Sequence, residues 1–212
     1  MAGFFIYSLD SSAFESLTTT PTLEQGLILA DALLEELEDL LDELDGEATP
    51  ETWPLEREEL AVLIQKRLAS SDWYSGLSPG DANIWAFTLR RLMYEAGEKL
   101  GVDFRCDNDG FLYWDAAKIA AKHGAPMMGE PVFGGSGYRY LGQPRGEQDL
   151  NYSIYLPEKT RQLLGQLESA ASHFETLPDE EDGDRDQFFR GLLEPVRIIV
   201  ADNRVMWVQT GT

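Results

Sequence analysis

The stretch VDFRCDNDGFLYWD, residues 102–115, decides the fold class. Two short aromatic runs, VDFRC and FLYWD, flank Asp107-Asn108-Asp109-Gly110. Asp-Gly is a favoured hairpin turn because both residues tolerate the positive φ it demands. The segment therefore predicts a central β-hairpin over Val102–Asp115. A calcium loop is the competing reading of the same acids. With Gly110 at position six of that pattern, Arg105 falls at position one and Ala116 at position twelve. Both should be oxygen ligands, so the turn is preferred.

Working outward, Gly3–Leu9 is short, apolar and aromatic, which suits a buried strand. Arg204–Thr210 has the same character at the other end, and the two are expected to pair. Pro21–Asp45 reads as one long amphipathic helix, with Leu33, Leu37, Leu40 and Leu44 recurring at helical spacing and Gly46 as its stop. Leu55–Leu68 resumes that spacing. Ser78-Pro79-Gly80-Asp81 has the chemistry of a helix start, with Ile84, Trp85, Leu89, Leu92 and Met93 on the buried face and Gly101 at the end. Ala116–His123 is a short helix stopped by Gly124. Pro157–Phe174 is a helix opened by proline. Phe188–Ala201 reads as a helix kinked or broken at Pro195. Gly124–Gly146, rich in glycine, reads as an irregular connection, and 176–186 as a mobile acidic loop. The expected architecture is α+β: helices packed on a small, mainly antiparallel sheet that includes both terminal strands and the central hairpin. It is taken as one domain over residues 1–212, a length that buries roughly 70% of the unfolded surface.

The order of these elements carries a resemblance. An opening GFFIYSLD strand, a VFGGSG loop, a YLPEKTRQLL helix and a closing VMWVQT strand are together similar to the YfbM-like proteins and related small bacterial domains of unknown function. The resemblance implies a single α+β domain of bacterial cytoplasmic origin. It supplies no activity and no catalytic residues to carry over.

Charge is the unusual property. The formal net charge is −21, and residues 1–56 contain fourteen Asp and Glu without one Lys or Arg. The rest of the chain sets twenty-four acids against seventeen bases. Such a field repels nucleic acid and anionic membrane and favours a cationic partner. No run approaches the ~20 apolar residues of a membrane-spanning helix. The N-terminus has no basic n-region, so it is read as a strand and not a leader. A cytoplasmic location is expected.

Motif by motif, little chemistry is specified. Cys106 is the lone cysteine and cannot form an internal disulfide. Nothing in the spacing brings His123 to it as a base. His123 and His173 make no metal pattern. Gly134-Gly135-Ser136-Gly137 matches no phosphate loop or nucleophile elbow, yet its amides suit an anion. A ligand pocket, if the chain has one, is expected there, walled by Tyr138, Arg139 and Tyr140. No catalytic residue, cofactor or metal ligand is assigned.

The acidic helix is the leading candidate. Asp31/Glu35, Glu35/Asp39, Glu38/Asp42 and Asp39/Glu43 are like-charge pairs at i,i+4, each costing a few tenths of a kcal/mol. A basic protein partner, of the kind met by an immunity protein or inhibitor, would offset that cost through Glu35, Glu38, Asp39, Asp42 and Glu43. Two alternatives stay open: a small enzyme or ligand-binding domain using the 124–146 segment, and a structural subunit whose charge serves solubility. The oligomeric state is not specified.

Overall fold

A computed structural model describes residues 3–43, 48–49, 52–70, 77–91, 96–108, 112–128, 138–141, 152–180 and 183–211. The chain divides into two compact units. One comprises residues 1–11 and 105–212, the other residues 12–104.

The first unit is built on the sheet. Strand β1, Gly3–Leu9, pairs antiparallel with the last strand, β6, Val205–Gly211, from Gly3 opposite Gly211 to Leu9 opposite Val205. Strand β5, Tyr152–Tyr155, continues the sheet antiparallel to β6, and β4, Tyr138–Leu141, pairs antiparallel with β5. The Val102–Asp115 segment supplies two strands, β2, Phe104–Cys106, and β3, Leu112–Tyr113, and both join β1. The fold class is the α+β arrangement expected, with both terminal strands neighbours in one sheet. Two details differ. Trp114 and Asp115 leave the sheet and open helix α5, Trp114–Lys122. Tyr138–Leu141, expected within a loop, is strand β4.

Alternation puts Phe4 and Ile6 of β1 and Met206 and Val208 of β6 in one buried cluster. Helix α6, Pro157–Phe174, packs there through Leu163, Leu167, Ala170 and Phe174. Pro157 occupies its first turn, where the missing N–H costs nothing. The final helical run joins α7, Asp184–Phe188, to α8, Glu194–Ala201, through a π-helical turn at Phe189–Leu193. This turn is the break expected at Pro195. The proline ring would crowd the carbonyl four residues earlier in an α-turn, and a wider turn makes room. The acidic loop ends at Gly183, so Asp184 and Asp186 belong to the first turn of α7, where negative charge is favoured.

The second unit is helical: most of α1, Ser11–Thr19, then α2, Leu23–Glu43, α3, Arg57–Leu68, and α4, Pro79–Arg91. Thr22 and Gln25 open α2 reciprocally. The Gln25 N–H donates to Thr22 Oγ1 at 3.2 Å, and the Thr22 N–H donates to Gln25 Oε1 at 2.8 Å. Ser78 caps α4 as expected, accepting from the Asp81 N–H at 3.0 Å. The Asp81 carboxylate does not reach back; it accepts instead from Thr52 Oγ1 and Trp53 Nε1, each at 2.9 Å. Ile84, Trp85 and Leu89 are buried, whereas Leu92 and Met93, like Leu44 and Gly46, lie outside the described residues.

Gly101, Gly124 and Asn203 end helical segments with positive φ, and in each the following N–H reaches back five residues. Gly26 has a different task. A Cβ there would lie 2.5 Å from the Ala61 carbonyl oxygen, so only glycine lets α2 and α3 approach so closely. Gly26→Ala should therefore destabilise the chain by about 1–3 kcal/mol through overpacking, read as a lower urea midpoint.

Asn108 repairs an interruption in the β1 ladder. Its Oδ1 accepts from the Ile6 N–H at 2.9 Å, and the Asp107 N–H donates to the Ile6 carbonyl at 2.9 Å. Asn108→Ala should leave a buried Ile6 N–H unmatched and cost about 1–3 kcal/mol in the same assay.

Candidate functional site

Helix α2 buries Leu29, Ala30, Leu33, Leu37, Leu40 and Leu41 along one stripe. The opposite surface follows from the helical period. Glu35, Glu38, Asp39, Asp42 and Glu43 are all exposed. Glu38/Asp42, Asp39/Glu43 and Glu35/Asp39 thus repel one another on one solvent face. The last turn of α2 contains no base, so Asp39, Asp42 and Glu43 also crowd the negative end of the helix dipole.

Two other acids of the same helix are treated differently. Asp31 is gripped by Arg57 at the start of α3, through Nε to Oδ1 and through Nη2 to Oδ2 at 2.7 Å. That hydrogen bond holds the Asp31 carboxyl below the usual carboxylate range. Glu36 forms an ion pair with Arg91 at the end of α4. Among the described residues, no ion pair reaches Glu35, Glu38, Asp39, Asp42 or Glu43. Arg57 and Arg91 lie 26 and 55 positions from their partners, so periodicity within α2 could not reveal them.

The pocket candidates fare otherwise. Tyr138, Arg139 and Tyr140 belong to β4, and their side chains, like the Gly134–Gly137 segment, lie outside the described residues. The Cys106 thiol is exposed and lies 3.3 Å from the Asn108 carbonyl and 3.4 Å from its Oδ1. The His123 ring is stacked against His173, with centroids 3.4 Å apart. Among the described residues, no group of three or more His, Cys, Asp or Glu is arranged to hold a metal ion, and no helix is long and apolar enough to cross a membrane.

A buried polar cluster at the β1–β6 end of the first unit had no signal in the sequence. Arg204, almost buried, donates through Nε to Ser8 Oγ at 2.9 Å and through Nη2 to the Ser8 carbonyl at 3.3 Å. Arg105 donates to Asp107 Oδ1 at 2.9 Å and to Asp202 Oδ2 at 2.7 Å. Asp107 is the chemically unusual member. Burial raises its carboxyl above the ordinary range, although Ser8, Arg105 and Arg204 pull the other way. Arg105 thus bridges two carboxylates, the part-buried Asp107 and the more exposed Asp202.

No family model matches the chain, and no curated protein or solved structure is significantly similar to it.

The Asp107 shift has a definite sign. A carboxyl raised in the folded state binds its proton more tightly there than in the unfolded chain. Its contribution is therefore most favourable at low pH and declines as pH rises from the ordinary carboxylate range through the raised value. In Asp107→Asn that contribution disappears. The wild-type stability minus that of the variant should fall as pH is raised from about 4 toward 7, in paired urea titrations. A difference that rises with pH would show the arginines dominating burial.

Proposed function

We propose that this chain is a binding protein whose exposed α2 acids engage a basic protein partner, as an immunity protein or inhibitor would. One observation carries the reading. Asp31 and Glu36 are paired with arginines, while Glu35, Glu38, Asp39, Asp42 and Glu43 concentrate unpaired charge in the C-terminal half of the helix. That placement opposes both neighbouring charges and the dipole. A helix serving only solubility gains as much from acids in its first turn or from mixed charges.

The mechanism is electrostatic. The acidic face steers a cationic surface into encounter, and short-range packing then holds it. Association should slow as salt shortens the screening length to about 10 Å at 0.1 M. The same reading places the protein in the bacterial cytoplasm, facing no nucleic acid or membrane.

The test is affinity capture from native cell extract at low salt, with stepwise salt elution. The protein runs beside a variant in which all five acids become lysine. The expected result is one basic protein that leaves at moderate salt and is absent from the variant. The variant should remain folded by circular dichroism. Its like-charge pairs persist as lysine pairs at these positions, so the gain in urea resistance, about 0.3–1 kcal/mol, should come from bases replacing acids at the C-terminal end of the helix dipole. Identical capture by both baits would reduce the face to solvated surface.

A further inference from the structure

We propose that His123 and His173 form a surface site for a borderline divalent transition-metal ion of the zinc, nickel or copper type. Each would contribute one neutral imidazole nitrogen. The residues are fifty positions apart in the chain, and the fold brings their rings face to face.

Backbone hydrogen bonds and packing fix where the two rings lie. His123 follows the last residue of α5, and its N–H donates to the carbonyls of Ile119 and Ala120 at 3.2 and 3.1 Å. Gly124 comes next with φ +127°, and a Cβ on it would lie 3.4 Å from the Ala170 nitrogen. The end of α5 is thereby laid on α6. His173 precedes the last residue of α6, with its ring 5.8 Å edge-on from Phe174. Phe174 in turn stacks on Phe188 at 3.8 Å within the core. One ring is backed by this aromatic column, and the other is exposed to solvent.

Two features of the pair call for a ligand. The centroid separation is 3.4 Å and the rings are 5° from parallel, so the stack has almost no offset. Aromatic rings avoid that sandwich and prefer offset or edge-to-face contact. In addition, among the described residues no hydrogen bond or ion pair reaches either ring. A histidine with a structural role generally uses one nitrogen, which fixes its tautomer.

With metal–nitrogen distances of about 2.0–2.1 Å, two ligands of a tetrahedral ion sit about 3.3–3.4 Å apart. The 3.4 Å between centroids is a separation of ring planes, and it brings both rings within the span of one ion. Lone pairs of parallel rings run side by side, so each ring must turn about χ2, a broad and soft torsion. Water completes the coordination. A net charge of −21 raises the local concentration of any divalent cation.

The test is titration of the full chain with zinc ion alone at neutral pH, following the histidine ring signals by NMR. The expected result is that both rings respond together along one saturation curve, completed at one equivalent. His123→Ala should weaken binding by roughly tenfold or more, since losing a ligand costs at least as much as losing its supporting partner. His173→Gln provides the second variant. A response from one ring alone, or unchanged affinity in both variants with zinc held by surface carboxylates, would overturn the proposal. The wild-type ring signals decide the matter even if a variant fails to fold.

Discussion

Strand β1 is hydrogen-bonded on both of its edges, and the first unit depends on it. One edge takes the whole of β6, residue by residue from Gly3 to Leu9. The other takes β2 and β3 and the Asn108 side chain. The partners of β1 therefore come from about one hundred and two hundred residues downstream. Closing loops of that length costs entropy before any contact offsets it. Phe4 and Ile6 supply the compensation, because pairing with β6 aligns them with Val208 and Met206 in one apolar layer. A slip of β1 by one residue would turn Phe4 and Ile6 out of that layer, away from Met206 and Val208.

The same pairing explains why strongly polar groups are tolerated beside the core. Ser8 is fully buried next to Met206, and Arg204 closes over it with two hydrogen bonds. Arg105 ties Asp107 to Asp202, at the turn that leads into β6. Main-chain and side-chain groups thus fasten the end of the sheet where the chain leaves β1 and enters β6. Asn108 does this most economically. Its amide oxygen stands in for a main-chain carbonyl, so the Ile6 N–H is matched where the ladder is irregular.

What could be read from the sequence follows a physical divide. Helices α2, α3, α4 and α6 were legible because their apolar residues recur at helical spacing, and the starts of α4 and α6 carry the Ser78 cap and the first-turn Pro157. Both terminal strands were legible as short aromatic runs. Helix α1 was not, since SSAFESLTT is short and only Phe14, Leu17 and Thr18 are buried. Strand β4 was hidden by the glycines around it. The candidate face on α2 was legible as a run of acids, but its division into paired and unpaired members was not. Arg57 and Arg91 reach Asp31 and Glu36 across tertiary contacts, and no local period encodes a tertiary ion pair. The His123–His173 stack and the Asp107 cluster were invisible for the same reason.

That division gives the acidic helix its meaning. Exposed ion pairs contribute little to stability, so Arg57 and Arg91 are weak evidence of a need to hold α2 in place. They do show that bases are available to acids on the flank facing α3 and α4. The five remaining acids could have been balanced equally cheaply by a lysine at any exposed position of α2, where straight-chain residues suit a helix. The helix instead has no base along its 21 residues. Its stability rests on the buried stripe of six apolar residues and on the close approach at Gly26. Each like-charge pair subtracts only a few tenths of a kcal/mol from a packed helix. The apolar face thus allows the solvent face to hold concentrated negative charge, which is the surface the proposed cationic partner would meet.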